Sequence, residues 1–90
     1  MSEEAKQQIY ELRKKIDVID AHLVEKLNER AGLALEIRKI KTESKLPLYD
    51  PGREEEIFKK ITSINNGPLY DDDLREIYET ILHAMKNVES

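Results

Sequence analysis

Apolar residues recur with a heptad period along the first forty positions, a stretch that contains no proline. The alternating spacing of three and four predicts one long helix, from about Glu4 to Thr42, with a coiled-coil-like apolar stripe that we call the seam. At 1.5 Å per residue this helix is ~58 Å long, whereas a compact domain of this size is only ~30 Å across. We therefore expect a second copy of the chain to cover the seam. The seam comprises Ile9, Leu12, Ile16, Ile19, Leu23, Leu33, Ile37 and Ile40.

Two shorter helices follow the long one. The second is predicted from about Pro51 to Ile64, because Asp50 and Pro51 have the form of an N-cap followed by proline at the first helical position. The segment 65–68, Asn-Asn-Gly-Pro, predicts its end, and three acidic residues from Asp71 suit the start of a third helix. Residues 1–90 are thus predicted to form a single all-α domain of three helices. The apolar stripes comprise Ile57, Phe58, Ile61 and Ile64 in the second helix, and Leu74, Ile77, Tyr78, Ile81, Leu82, Met85 and Val88 in the third.

The composition of the chain argues against several classes of protein and of binding site. The chain has 90 residues, of which 39% are apolar and 38% are charged, and it contains no cysteine. Without cysteine there is no disulfide framework and no thiolate metal site, and a reducing cytoplasm is the expected location. The first residues lack the basic-then-apolar order of a signal peptide, and no apolar run approaches the ~20 residues of a membrane span. The net charge of −4 argues against general nucleic-acid binding.

Two charged residues, Lys26 and Arg30, interrupt the seam. Such residues can fix the register between two helices while their long side chains reach water; alternatively, Arg30 faces a water-poor pocket that receives an anion. Lys41 favours the second interpretation, because it follows Arg30 by close to three turns and projects on nearly the same side, ~16 Å along the axis. Arg13 is ~25 Å from Arg30 and about 100° round the helix. It could join the same site only from a second, antiparallel chain.

Two further segments place charged residues at helix ends. The segment 50–54, Asp-Pro-Gly-Arg-Glu, offers an acid, an arginine and a glutamate where backbone N–H groups are free, although a simple helix start accounts for it without a ligand. Glu89 falls on the apolar face predicted for the third helix, where burial would raise the pKa of its carboxyl. Fraying of the last turn is the alternative. The sequence contains no phosphate loop, catalytic triad or paired-histidine metal signature.

Together these segments closely resemble the all-helical family of chorismate mutases. The resemblance covers nearly the whole chain, from about residue 7 to 89, and depends on the order and spacing of the motifs more than on any one of them. The matching motifs are Leu12-Arg13-Lys14-Lys15-Ile16-Asp17 with Ile19-Asp20, Leu27-Asn28-Glu29-Arg30, Ile37-Arg38-Lys39-Ile40-Lys41, Pro47-Leu48-Tyr49-Asp50-Pro51-Gly52-Arg53-Glu54 and Ile77-Tyr78.

The resemblance implies an intertwined homodimer with two equivalent active sites. Members of the family convert chorismate to prephenate, on the route to phenylalanine and tyrosine, with no metal or organic cofactor. By the family pattern, Arg30 binds one substrate carboxylate, and Arg13 of the partner subunit binds another. Lys41 donates to the ether oxygen of the substrate, assisted by Glu89. The residues implied to surround the rest of the substrate are Asp50, Arg53 and Glu54, the last of which bonds the substrate hydroxyl.

Two positions depart from the common family pattern. Many relatives have glutamine where this chain has Glu89, and some have a small polar residue near the substrate where it has Met85. An ionised carboxylate cannot donate a hydrogen bond to the ether oxygen, so we expect Glu89 to act in its protonated form. Met85 leaves one hydrogen bond to the substrate in question, but not the reaction.

Two alternative functions fit the same sequence. An isochorismate pyruvate lyase shares the helical architecture and needs a similar cationic pocket, although the 50–54 segment and the pairing of Arg30 with Lys41 are more like those of a mutase. A non-catalytic helical dimerisation module would account for the seam alone. The chain is too short to include a dehydratase, dehydrogenase or aldolase-type synthase domain. It could be part of such a fusion or dock on such an enzyme.

Overall fold

The computed structural model describes residues 2–88, and over that range the chain forms three α-helices. They are α1 (Glu3–Glu43), α2 (Arg53–Ser63) and α3 (Asp71–Lys86). This described part contains no strand, and the all-α, three-helix prediction is confirmed. None of these helices combines the length and the apolar character that crossing a membrane requires.

The seam lies on the surface of the single chain. The chain divides into two compact units within α1, after Leu33, and no residue of α1 is buried. Ile9 is half-buried, whereas the other seam side chains, in both units, keep more than half of their surface exposed. From Leu12 to Ile40, the exposed fractions of the seven seam residues lie between 53% for Leu23 and 58% for Leu12 and Ile40. An apolar stripe of this kind on a long helix is typical of a surface that another helix covers.

The core of the C-terminal unit lies between α2 and α3. Ile57, Phe58 and Ile61 are buried, and Leu74, Tyr78 and Leu82 of α3 pack against them. These residues belong to the stripes that the sequence predicts for the two helices, but Ile77 of the predicted α3 stripe is 45% exposed. Ile64 was predicted on the α2 stripe, but it is the C-cap residue of α2 and is 74% exposed. The chain leaves the helix there, so the stripe ends one turn earlier.

The start of α2 also differs from the prediction. Asp50 is not the N-cap: the helix begins at Arg53, its cap position is Gly52, and no side chain bonds the cap. The carboxylate oxygen Oδ1 of Asp50 instead accepts the N–H of Gly52 at 3.3 Å. Aspartate commonly forms this turn, in which the side chain bonds the backbone two residues on. Asp50 therefore fixes the turn that leads into α2.

The end of α3 also differs from the prediction. The helix ends at Lys86 with Asn87 as its C-cap, so Val88 lies beyond the helix and not within it. The N–H of Val88 donates to the carbonyl of Met85 at 3.4 Å, a bond across three residues that tightens a final helical turn and closes it. Glu89 lies outside the described residues.

Candidate active site

Lys41 lies in the last turn of α1 and reaches toward the loop that follows. Its side chain is half-buried, and Nζ donates to the carbonyl oxygen of Leu48 at 3.4 Å. A lysine ammonium has three donors, so this bond leaves two of them for other acceptors. Leu48 is two residues before Asp50. Lys41 therefore lies beside the segment that carries the next predicted site residues.

Asp50 and Arg53 belong to the turn that starts α2. Besides the side-chain bond to Gly52, the backbone carbonyl of Asp50 accepts the N–H of Arg53 at 3.2 Å, which gives the turn a defined shape. The guanidinium of Arg53 lies 3.3 Å from the carboxylate of Glu56, and both side chains are more than half exposed. An exposed pair one turn apart contributes little stability, about 0.2–0.5 kcal/mol. The carboxylate of an anionic ligand can therefore replace Glu56 at low cost.

Glu54 forms an ion pair with the end of α3. Its side chain is half-buried, and its carboxylate lies 3.2 Å from Nζ of Lys86. Lys86 is the last residue of α3, and the half-buried Met85 precedes it. The ion pair therefore joins the first turn of α2 to the last turn of α3. A carboxylate positioned in this way accepts hydrogen bonds, as the implied bond to a hydroxyl requires.

Arg13 and Arg30 lie on the N-terminal unit, Arg13 exposed and Arg30 half-buried. Three of the five arginines in the sequence, Arg38, Arg53 and Arg75, bond to other groups of the chain. Within residues 2–88, Arg13 and Arg30 have no such partner. An arginine that pairs with none of the acids in that range keeps its planar donor set available for a ligand carboxylate.

Lys26, the other charged residue of the seam, behaves differently from Arg30. Its ammonium lies 3.0 Å from the carboxylate of Glu29, and the Lys26 side chain is 71% exposed. A solvated pair on the helix surface explains Lys26 without a ligand. The two charged interruptions of the seam are therefore not equivalent: within residues 2–88 Lys26 pairs with an acid, and Arg30 does not.

Each predicted site residue of the C-terminal unit that these contacts involve bonds a neighbouring group, and the ammonium of Lys41 and the guanidinium of Arg53 are donors that suit an anionic ligand. Lys41 contacts the loop before Asp50, the Asp50 turn leads into Glu54, and Glu54 pairs with Lys86 beside Met85. In the part of the chain that the structure describes, no group of three or more His, Asp or Glu residues could hold a metal ion.

Arg38 is a residue of this region to which the sequence analysis gives no role. Its guanidinium donates to the carbonyl oxygen of Val88 at 2.7 Å and to that of Lys86 at 3.2 Å. Arg38 precedes Lys41 by three residues and so lies on the same face of α1. The sequence shows that Arg38 shares a face with Lys41, but it does not show a hydrogen bond between residues fifty positions apart.

Comparison with known proteins finds similarity over most of the chain. A family model described as chorismate mutase type II matches residues 12–90. The chain is 41% identical over 87 residues to a bifunctional chorismate mutase/prephenate dehydratase of Aquifex aeolicus, over 92% of this chain and 24% of that protein. It is 29% identical over 84 residues to the chorismate mutase of Methanocaldococcus jannaschii, over 92% of this chain and 85% of the relative.

A solved structure is also similar. Form II of the chorismate mutase from Thermus thermophilus matches with a TM-score of 0.87 and 37% identity, over 90% of this chain and 92% of that one. The lengths of the relatives differ. The chain spans about a quarter of the bifunctional relatives but most of the archaeal one.

Proposed function

The chain belongs to the chorismate mutase type II family, and on that premise we propose that it converts chorismate to prephenate at a site built from residues of two chains. The observation that carries this proposal is the contact network of the C-terminal unit. In that unit Lys41 bonds the Leu48 carbonyl, Asp50 forms the turn that leads into α2, and Glu54 pairs with Lys86 at the end of α3. Lys41, Asp50 and Glu54 are residues to which the resemblance assigns contacts with the substrate. The family match supports it over residues 12–90.

The reaction explains which functional groups are present. One C–O bond of the substrate breaks while one C–C bond forms within the same molecule, so no atom, proton or electron has to enter or leave. A nucleophile and a general base are therefore unnecessary. Catalysis requires that a flexible dianion be held in its compact reactive conformation and that donors face the ether oxygen, where negative charge develops.

Two of the three arginines of α1, Arg13 and Arg30, hold the dianion. Arg30 binds one carboxylate, and Arg13 of the partner subunit binds the other. Both guanidinium groups lack partners among residues 2–88 of their own chain, and each can hold a carboxylate through two parallel hydrogen bonds. Their binding energy restricts the substrate to conformations from which the C–C bond can form.

Lys41 stabilises the negative charge that develops on the ether oxygen. Its ammonium bonds the Leu48 carbonyl and has two further N–H groups that can donate to the ether oxygen. Glu89, in its protonated form, is the second donor. The Glu54 carboxylate accepts a hydrogen bond from the substrate hydroxyl and pairs with Nζ of Lys86 at 3.2 Å. Asp50, Arg53 and Met85 complete the surroundings of the substrate.

A second copy of the chain is the partner that the seam requires. From Leu12 to Ile40 the seven seam side chains are each more than half exposed. Apolar surface of that extent is a large driving force for association, about 25 cal/mol for each Å² buried. We propose an intertwined homodimer with two equivalent sites. The bifunctional relatives support a place for this domain beside an enzyme that consumes prephenate, by fusion or by docking.

The test is turnover by the purified chain. We expect chorismate to be converted to prephenate without added metal or cofactor, and isochorismate to release pyruvate at a negligible rate. Faster turnover of isochorismate would make the protein a lyase on the same fold. If a folded dimer turns over neither substrate, the enzymatic function is rejected, and the alternative of a non-catalytic dimerisation module is supported.

The two charged residues of the seam provide a matched pair of variants. Arg30→Ala removes a charged hydrogen bond to the substrate, which lowers kcat/KM by at least roughly tenfold. Lys26→Ala removes a cation that already pairs with Glu29 and leaves kcat/KM within about twofold. Equal effects of the two substitutions would show that both residues only fix the register of the helices.

A further inference from the structure

The first turn of α2 contains three consecutive glutamates, and each of them pairs with a different cation. The pairs, with their N–O distances, are Glu54 with Lys86 at 3.2 Å, Glu55 with Arg75 at 3.8 Å and Glu56 with Arg53 at 3.3 Å. Glu54 is the glutamate of the three that belongs to the proposed site. Its partner Lys86, on α3, is a residue to which neither the sequence nor the family resemblance assigns a role.

Lys86 reaches Glu54 from the last turn of α3. Its Nζ lies 3.2 Å from Oε1 of the Glu54 carboxylate, and the two side chains are 65% and 47% exposed. A carboxylate has a second oxygen that accepts hydrogen bonds, so the ion pair leaves Oε2 for another donor. An exposed pair of this kind contributes little to the stability of the fold. The chain should therefore fold without it.

The negative charge of Glu54 opposes binding of the proposed substrate. Chorismate carries two carboxylates, and a Glu54 carboxylate that accepts the substrate hydroxyl adds a third negative charge to the same site. Like charges a few ångströms apart repel each other, and the repulsion grows where the ligand and the surrounding side chains exclude water. A cation in contact with Glu54 offsets this repulsion and leaves the acceptor oxygen in place.

We propose that Lys86 is a positioning residue that acts through Glu54, as the counter-ion that allows a carboxylate to serve as the hydroxyl acceptor beside a dianion. This role rests on the proposed function. The ammonium pairs with Oε1 and neutralises the charge, and Oε2 accepts the substrate hydroxyl. Lys86 contacts the carboxylate and not the substrate. Its contribution to binding therefore exists only while residue 54 is charged.

A double-mutant cycle tests this dependence. Lys86→Ala is made in the wild-type chain and in a Glu54→Gln chain, whose side chain keeps an acceptor oxygen but carries no charge. For all four proteins, kcat and KM for chorismate are measured. The dissociation constant of prephenate is measured by calorimetric titration as well. Prephenate keeps both carboxylates and the hydroxyl, because no atom leaves in the reaction, so its binding gives the same cycle even where Glu54→Gln slows turnover.

Lys60→Ala is the matched control. Lys60 is an exposed lysine in the last turn of α2, as Lys86 is in α3, and it forms no ion pair in the described part of the chain. Its substitution removes the same charge and the same interaction with the end of a helix dipole. Lys86→Arg is the rescue variant, because it keeps a cation within reach of Glu54.

The expected result is a loss that depends on Glu54. Lys86→Ala lowers kcat/KM for chorismate about threefold to tenfold and weakens prephenate binding by a similar factor. Most of the loss is a rise in KM, because the repulsion acts on the bound dianion before and during the reaction. In the Glu54→Gln chain, Lys86→Ala changes the same quantities by no more than about twofold. Lys86→Arg and Lys60→Ala stay within about twofold of the wild type.

Three results would overturn the proposal while leaving the chorismate mutase function intact. One is an equal fractional loss from Lys86→Ala in the wild-type and Glu54→Gln chains, which is the additivity expected if Lys86 binds the substrate itself or only stabilises the fold. Another is an equal loss from Lys60→Ala. The third is an unchanged kcat/KM in Lys86→Ala. Absence of chorismate turnover by the wild-type chain would be a different failure, that of the proposed function itself.

Discussion

Lys41 uses little of its hydrogen-bonding capacity within its own chain. Its bond to the Leu48 carbonyl, at 3.4 Å, is long for a charged donor, and it forms no ion pair with an acid among residues 2–88. Removing a pre-organised donor to a developing oxyanion costs about 10²–10³ in rate, or roughly 3–4 kcal/mol. We predict a loss of kcat of that size for Lys41→Ala, measured by the disappearance of chorismate.

The matched control for Lys41 is Lys39→Ala, which removes the same charge two residues away on an exposed face. Helicity measured by circular dichroism should be the same in both variants. If kcat falls equally in the two variants, the effect of Lys41→Ala comes from the lost net charge and not from the loss of a donor to the ether oxygen.

The role proposed for Glu89 predicts how the activity depends on pH. A protonated carboxyl donates to the ether oxygen, whereas an ionised one repels the charge that develops there. We therefore expect kcat/KM to be highest at acidic pH and to fall as pH rises and the carboxyl loses its proton. Glu89→Gln, which donates at every pH, should flatten this dependence. Superimposable pH–rate profiles of the two proteins would contradict the role of Glu89.

The helices themselves were largely predictable from the sequence. Heptad spacing places α1 within one residue of its observed bounds, Glu3–Glu43, because a long periodic pattern constrains a helix at many positions. The ends of the short helices were less accurate. At Asp50 and at Val88 local bonds compete with helix geometry: an aspartate turn precedes α2, and bonds across three residues close α3.

The candidate site was predictable only in part. Residue type, spacing and family resemblance indicated Arg30, Lys41 and Glu54, since these depend on charge and helical phase. The partners that hold the site were not predicted: Arg38 bonds the end of α3, and Lys86 bonds Glu54. Such contacts depend on how α1 and α2 meet the end of α3, which no local pattern records.

The packing of α2 on α3 gives a prediction for stability. Phe58 is 8% exposed, and the Arg75 guanidinium lies 4.2 Å from the centre of its ring. Phe58→Ala should lower the free energy of unfolding by about 3–5 kcal/mol, a large part of the 5–15 kcal/mol of a typical domain. Urea denaturation at one fixed protein concentration measures this loss.

Ile64→Ala is the control for Phe58, because Ile64 ends the same helix and is 74% exposed. Its effect on the free energy of unfolding should be within about 0.5 kcal/mol. If the two substitutions destabilise the protein equally, the buried core does not lie between α2 and α3 as described.

The net charge of the whole molecule is opposite in sign to the charge of the groups that bind the proposed ligand. The net charge is −4, yet the proposed ligand is a dianion bound by arginine and lysine. The two facts agree because many acidic residues are exposed on the surface, where several pair with nearby cations. The arginines of α1 that the site uses lack such partners in the described range.

The exposed seam predicts the oligomeric state. Leu23 of the seam is 53% exposed in the single chain, and we expect a second copy to bury it. Leu23→Glu places a charge in that interface and should shift the protein toward monomers in sedimentation. Ala21→Glu adds the same charge on the opposite side of the heptad and should remain dimeric. A wild-type chain that sediments as a monomer at micromolar concentration would contradict the proposed assembly.

The central claim is that each catalytic site combines Arg13 of one chain with Lys41 of the other, and subunit complementation tests it most directly. Arg13→Ala and Lys41→Ala proteins, each nearly inactive alone, are refolded together in equal amounts. Random pairing makes half of the dimers mixed, and each mixed dimer has one intact site, so about a quarter of the wild-type activity should return. If each site were built within one chain, no pairing could restore it, and activity that stays at the level of the separate variants would contradict the account.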